Sequence, residues 1–260
     1  MRRRSFWHLE ASLACLSNPR IHQYCINTSK QTRVRRYPAR LLRYWFMYQL
    51  LRQEESLRGP LSVCEIGVDR GQMLHFTREA GFSDPSGTAL QSCSNWDAVD
   101  INLRRAELQA AGYRRLFKLD LAQDPMPAQL HGEYDVVILL HILEHLREPE
   151  VALEEALKCL KPGGLVIGGM PVLPQPLLSW RQQQIRRKAQ LHGHVSAFSP
   201  QRLRSWVARF GLREELCSGA FFVRSKRLPL ENYRWWLRCN LAFGALFPGW
   251  PGEIYWSFRT

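Results

Sequence analysis

The chain has 260 residues, 45 % hydrophobic and 23 % charged, which suits one sizeable buried core and excludes wholesale disorder. Its net charge of +13 is unevenly spread: residues 1–60 carry twelve Lys/Arg against three Asp/Glu, residues 61–170 ten against sixteen, and residues 171–260 fourteen against four. Seven scattered cysteines without a C-x-x-C pair argue against a disulfide framework and a structural zinc site, and no apolar run is long enough for a transmembrane helix.

Met1-Arg-Arg-Arg opens like a secretory leader, but Glu10 interrupts the apolar stretch that follows, so a cleaved signal is not expected. Residues 1–60 read as a basic, partly helical N-terminal extension. After Pro38, which suits a first helical turn, Leu41, Leu42, Trp45, Phe46, Tyr48 and Leu51 stand between Arg40, Arg43 and Arg52. That pattern predicts either a helix packed on the edge of the main domain or one lying on a lipid surface.

Residues 61–260 read as the main domain. Its first half, 61–170, alternates predicted strands at 61–66, 96–101, 116–119, 134–140 and 164–169 with helices at 72–80, 102–111 and 148–160. This rhythm calls for a doubly wound, mostly parallel α/β sheet with helices on both faces. Residues 82–94 read as an inserted surface loop. In the second half, 171–260, a proline-punctuated segment leads to a basic helical pattern (Arg181, Arg186, Arg187, Lys188). Ser199-Pro200 then caps and starts another helix, Gly211 stops it, and residues 253–259 alternate like a final strand.

Chemistry concentrates at the predicted strand ends. Glu65-Ile-Gly-Val-Asp-Arg-Gly71 joins a strand to a helix, where glycines let backbone approach a nucleotide closely. The dinucleotide fingerprint G-x-G-x-x-G fails, because Asp69 and Gln72 stand where glycines are needed. An acid at that helix start would also repel a pyrophosphate, so a phosphate-free cofactor with a cationic centre fits better. Asp100, beside Ile101, ends the second strand, where a carboxylate can accept both hydroxyls of a ribose; capping the following helix is the other reading. Asp120, with Leu121, ends the third strand and could accept from an adenine amino group or simply form a turn.

Residues 61–212 resemble the class I, seven-stranded, Rossmann-like methyltransferases that use S-adenosylmethionine, in the style of the group acting on small molecules such as quinone precursors. Glu65-x-Gly67-x-Asp69-x-Gly71 resembles their first motif, with Asp69 replacing its middle glycine. Tyr134–His145 resembles their fourth-strand motif, Leu160-Lys-Pro-Gly-Gly164 their turn into the fifth strand, and His194–Pro200 a later segment. The resemblance implies that Glu65, Gly67 and Gly71, with Asp69 between them, shape the methionine and ribose side. It also implies that Asp100 holds the ribose, that Asp120 and Leu121 flank adenine, and that Leu140 and His141 lie beside the methionine. Residues 229–250 then fall where the family has a short hairpin, and would shape an acceptor site or a partner contact.

The expected reaction is methyl transfer to an O, N or C nucleophile of a small-molecule, lipid- or sugar-type acceptor, an anionic one among the options. His194 is the first candidate for a general base, ahead of His141, His145 and His192. RNA is the second acceptor class, since aromatic residues interleave the basic segments 33–43 and 224–238, and a catalytically silent cofactor-binding scaffold is a third reading. The stretch Leu140-His-Ile-Leu carries no Asn-Pro-Pro-Tyr-like motif, which turns the reading away from exocyclic amines of DNA bases. His141-x-x-Glu144-His145 is also written like the inverted zinc-protease signature, but a strand precedes His141, so no metal is expected. A cytoplasmic protein, with peripheral membrane contact as an option, is the expected setting.

Overall fold

In the computed structural model, which describes residues 12–26, 35–83, 90–187, 193–223 and 229–260, the alternating pattern becomes a seven-stranded sheet flanked by helices. In chain order the elements are α1 (Pro19–Cys25), α2 (Leu42–Arg58), β1 (Val63–Ile66), α3 (Gln72–Ser83), β2 (Trp96–Asp100) and α4 (Arg105–Ala111). They continue with β3 (Arg115–Lys118), β4 (Tyr134–Leu140), α5 (Pro149–Lys158), β5 (Leu160–Val172) and α6 (Gln175–Arg187). The last are α7 (Pro200–Arg209), β6 (Arg213–Gly219), α8 (Arg234–Leu246) and β7 (Gly252–Arg259). The strand order is β3-β2-β1-β4-β5-β7-β6, with β7 antiparallel to both of its neighbours and the other described pairs parallel.

Period-two alternation of the central strands builds a core on each face. From β4, Val136 and Ile138 join α2 and α3 in one cluster, while Val137 and Leu139 join α5 and α7 in the other. Strands buried on both faces read as mainly apolar runs, most plainly in residues 136–140 of β4, which is why the central strands are visible in the sequence.

The helix after Pro38 forms, entered through a short 3-10 turn at Ala39–Leu41. Its apolar residues do not face lipid. Trp45, Phe46, Met47 and Tyr48 are all buried inside the protein, and Phe46 stacks on Tyr255 of β7 at 4.4 Å. The far end of α2 is tied by charge. Arg259 donates to both Glu54 oxygens at 2.8 and 2.7 Å and to Glu215 at 2.6 Å, and this pairing lets the two carboxylates be buried.

Three features depart from the expected pattern. β6 and α1 carry no strong periodic signal. Arg213-Glu-Glu-Leu-Cys-Ser-Gly219 is an edge strand with three charges, and α1 is only seven residues long. Residues 234–246 form the helix α8 where a hairpin is expected. Helix α4 starts at Arg105, not at residue 102, so Asp100 does not cap it. Ser199 does cap α7, accepting from the Arg202 amide at 3.2 Å, and Gly211 turns left-handed just beyond it at φ +63°. Of the inserted loop, residues 84–89 lie outside the described residues, while 82–83 end α3 and 91–94 form a 3-10 turn.

Candidate active site

The site is built where the strand order reverses, between β1 and β4, at the carboxyl ends of the parallel strands. Open α/β sheets bind ligands at this switch point. The turn after β1 takes its shape from left-handed residues: Gly67 at φ +80°, Asp69 at +47° and Gly71 at +77°. A Cβ on Gly67 would meet the Ile142 side chain at 3.0 Å, and one on Gly71 would meet Tyr113 at 3.0 Å, so both positions are confined by packing as well as by φ. Aspartate is among the few non-glycine residues that tolerate this conformation. That accounts for Asp69 at the position where the family motif has glycine.

Asp69 also joins two strand ends. Its backbone amide donates to Asp100 Oδ2 at 3.1 Å, and its carboxylate accepts from Gln72 Nε2 at 3.1 Å. Asp100 Oδ1 accepts from the Asn102 amide at 2.8 Å. Each Asp100 oxygen therefore has one backbone partner and a further lone pair, which suits a ribose diol. Ile101 beside it is 48 % exposed and offers an apolar surface next to that carboxylate. Asp120 stands one strand further on and closes its own turn, accepting from the Ala122 amide at 3.0 Å and from Gln123 Nε2 at 2.8 Å. Leu121 next to it is buried. Acids without a facing phosphate cradle suit a nucleoside carrying positive charge.

Glu65 lies beneath this turn, 4 % exposed, and accepts from the Tyr113 hydroxyl at 2.5 Å. Burial pushes its carboxyl up to about 8, against the Tyr113 hydrogen bond and with the help of the Asp100 charge. Tyr113 is a partner that motif reading misses, because nothing in its neighbourhood marks it.

At the end of β4 the chain turns sharply. Leu140 is half-buried there, and His141 is left-handed at φ +56°. A residue in that conformation breaks the helical register, so His141 and His145 do not share a helical face in the manner of a zinc-protease motif. The His141 ring instead lies between two buried acids, with Nδ1 2.9 Å from Glu144 Oε1 and Nε2 3.6 Å from Glu253 Oε2. Burial lowers the imidazole pKa, but the pairing with Glu144 and Glu253 outweighs it and the net shift is upward. Glu253 also takes Arg43 at 2.9 Å and the Tyr255 hydroxyl at 2.5 Å. Burial would raise its pKa, yet His141, Arg43 and Tyr255 hold it far below the usual carboxylate range. Neither Arg43 nor Glu253 is evident as a site residue in the sequence; the only signal is a lone acid inside an otherwise apolar final strand.

Two adjoining cavities open beyond His141. One of about 410 Å³ is lined by Arg43, His141, Glu144, His145, His194 and Phe221, among others. The other, of about 360 Å³, is lined by Glu144, Trp180, Ile185, His194, Ala197 and Phe198, among others. His194 is brought here because the Glu144 carbonyl accepts from the amides of Val195 and Ser196 at 2.8 and 3.1 Å. Burial lowers the His194 pKa against the pull of Glu144, with His145 and His141 adding to the drop. His194 is therefore a neutral base or ligand at physiological pH. His192, the remaining histidine candidate, lies outside the described residues.

Comparison with known proteins bears on the family and the fold. The profile of a protein family described as "Methyltransferase domain" matches residues 31–215. The chain belongs to this family of methyltransferases, whose methyl donor is S-adenosylmethionine. No curated protein matches the sequence. Among solved structures, an S-adenosylmethionine-dependent methyltransferase from Mesorhizobium loti is 15 % identical with a TM-score of 0.52, covering 84 % of this chain and 98 % of that one. The trans-methyltransferase CalH, in complex with SAH, is 17 % identical with a TM-score of 0.52, covering 85 % and 58 %. The [4+2]-cyclase SpnF is 15 % identical with a TM-score of 0.52, covering 89 % and 84 %. These likenesses share the fold, and the cyclase among them shows that the fold alone does not fix the reaction.

Two predictions follow from the turn. Asp69→Gly should fold as stably as wild type, whereas Asp69→Val should lose about 1–2 kcal/mol, the cost of a β-branched side chain in the left-handed conformation that aspartate tolerates. Urea denaturation of both variants checks this, and equal stability of the two would contradict the left-handed turn. For Glu65, the folded chain keeps a proton between about 4.5 and 8 that the unfolded chain has released. Stability should therefore fall as pH rises through that window and level off above it. Glu65→Gln should flatten the decline in urea midpoints measured across it; an unchanged slope would clear Glu65 as its source.

Proposed function

We propose that this chain transfers the methyl group of S-adenosylmethionine to a hydroxyl oxygen of a small, largely apolar acceptor of the lipid or decorated-metabolite type. The observation that carries this reading is the cavity beginning at His141 and lined by His145, His194 and Glu144. It places proton-accepting side chains beside the end of β4, next to the methionine side of the cofactor crevice. Gly67, Asp69 and Gly71 would bound the crevice, Asp100 and Ile101 would hold the ribose, and Asp120 and Leu121 would flank adenine. When bound, the sulfonium supplies an electrophilic methyl group.

The chain's own contribution is alignment and proton removal. Confinement of the acceptor beside the donor supplies proximity, worth up to about 7–11 kcal/mol in well-oriented systems. His194, neutral at physiological pH, takes up the hydroxyl proton as the oxygen becomes nucleophilic. His141 is less suited, because two carboxylates flank it and favour its charged form.

The apolar character of the acceptor rests on the rim. Phe222, Phe243 and Trp250 cluster with ring centroids 4.7–5.8 Å apart. Phe222 and Trp250 are 44 % exposed and adjoin Phe221 and Pro251, which line the larger cavity. An exposed aromatic cluster beside a cleft suits an apolar ligand body. Several arginines of the basic flanks are occupied by the fold itself, as in the Arg43–Glu253 and Arg259–Glu54 pairs, which weakens the case for an RNA acceptor.

Radiolabelled methyl transfer from S-adenosylmethionine into lipid, metabolite and RNA pools tests the proposal. Label should appear in an organic-soluble product, and His194→Ala should lower turnover about 10²- to 10⁴-fold, the usual contribution of a general base, with cofactor affinity little changed. Label confined to RNA, or unchanged turnover of the variant, would overturn it.

A further inference from the structure

Glu144, His145 and His194 form a side-chain cluster that proton removal alone does not explain. One ligand atom from each lies within 4.8 Å of the other two. Glu144 is 1 % exposed. Its Oε1 is bonded by His141, but its Oε2 is buried and has no hydrogen-bond partner among the described residues. A buried carboxylate oxygen left without a partner is costly, and this one belongs to a residue lining both cavities.

The two histidines are presented for the same point. His145 Nδ1 lies 3.2 Å from the Gly193 carbonyl oxygen. A carbonyl only accepts, so Nδ1 carries the hydrogen and Nε2 is left with its lone pair. This arrangement, one imidazole nitrogen fixed by a backbone carbonyl and the other free, typifies a metal-ligating histidine. The His145 and His194 rings meet edge-on at 5.1 Å between centroids. The Glu144 backbone carbonyl holds the segment that carries His194 through Val195 and Ser196. His141, through its bond to Oε1, orients the carboxylate in the way that outer groups orient ligating carboxylates.

We infer that Glu144, His145 and His194 form a binding site for a divalent transition metal at the mouth of the acceptor cavities. Two imidazoles and one carboxylate are a donor set that zinc takes with three protein ligands and an open fourth position, and nickel, cobalt and iron(II) accept similar donors. Metal–ligand bonds of about 2.0–2.2 Å bring tetrahedral ligand atoms to roughly 3.4 Å from one another. The remaining gap of up to about 1.4 Å from the 4.8 Å limit is within reach of rotation of the histidine side chains, both of which are exposed. The ligands differ from those a zinc-protease motif would use, because His141 turns away to Glu253 and His194 takes its place. In catalysis, which rests on the hydroxyl-acceptor reading above, an acceptor oxygen in the open position would release its proton to water more readily. In the metal-loaded chain His194 would serve the same acceptor through the cation, in place of the direct proton uptake open to it in the metal-free chain.

The test is zinc binding by the full chain after chelator treatment, followed by calorimetry and by the visible absorption of the cobalt-substituted protein. One equivalent should bind, with affinity reduced at least tenfold in His145→Ala and in His194→Ala, and cobalt should give ligand-field bands that both variants abolish. Both residues are exposed, so the variants should keep the wild-type melting temperature. Absence of stoichiometric uptake would overturn the site, as would uptake unchanged in the double variant, the result expected if the exposed Cys239 were the ligand. Methyl transfer by a chain that takes up no zinc would remove the metal site and leave the proposed function standing. Zinc uptake by a chain that methylates no hydroxyl acceptor would do the reverse.

Discussion

Glu253 carries a negative charge into the buried end of β7, where a carboxylate persists only if cations and hydrogen-bond donors surround it. Arg43 supplies a charge from α2, the His141 ring faces the carboxylate at 3.6 Å from the end of β4, and Tyr255 donates its hydroxyl from β7 itself. These partners come from three separate parts of the chain, so satisfying one carboxylate fixes their relative positions. Phe46 stacked on Tyr255 brings α2 close enough for Arg43 to reach. The β5–β7 register sets Glu253 opposite Pro171, a residue of both cavity walls. His141, its Nε2 facing Glu253 at 3.6 Å, turns Nδ1 to Glu144, and the Glu144 carbonyl in turn anchors the segment that delivers His194. The histidine-lined cavity wall is thus a chain of consequences that begins at one buried charge.

The cofactor side follows a different logic, governed by backbone conformation. Three left-handed residues in the turn after β1 direct the Asp69 amide to Asp100 and so lock the ends of β1 and β2 together. Acids at successive strand ends, Asp100 and Asp120, suit a ligand that tolerates negative charge and needs no phosphate cradle. That electrostatic selection separates a sulfonium nucleoside from a dinucleotide on sheets of closely related topology.

Much of the fold is legible in the sequence, for a physical reason. β1, β2 and β4 are buried on both faces, so their apolar residues stand out; Gly67 and Gly71 mark the end of β1, Asp100 that of β2 and Asp120 that of β3. β6 is hidden because an edge strand can carry Arg213, Glu214 and Glu215 without losing its pairing. α2 is legible as a helix, but only the structure shows that its apolar residues meet the sheet and not lipid. The pairing of Glu253 with His141 and Arg43 is not legible at all, since it depends on an antiparallel strand inserted from the far end of the chain. The approach of His194 to Glu144 and His145 rests on two backbone hydrogen bonds that no side-chain motif encodes. Asp69, which breaks the family motif on paper, fits once its φ of +47° is known.

Calorimetric titration of S-adenosylmethionine into wild type and Asp100→Ala tests the central claim, that the strand ends around β1 and β2 hold this cofactor. Asp100 should contribute charge-assisted hydrogen bonds to the ribose, each worth about 1.5–3 kcal/mol. Wild type should bind one equivalent, and the folded variant at least about tenfold more weakly. Binding of equal strength by both proteins would contradict the assignment of the crevice, and no binding by wild type would contradict the account as a whole.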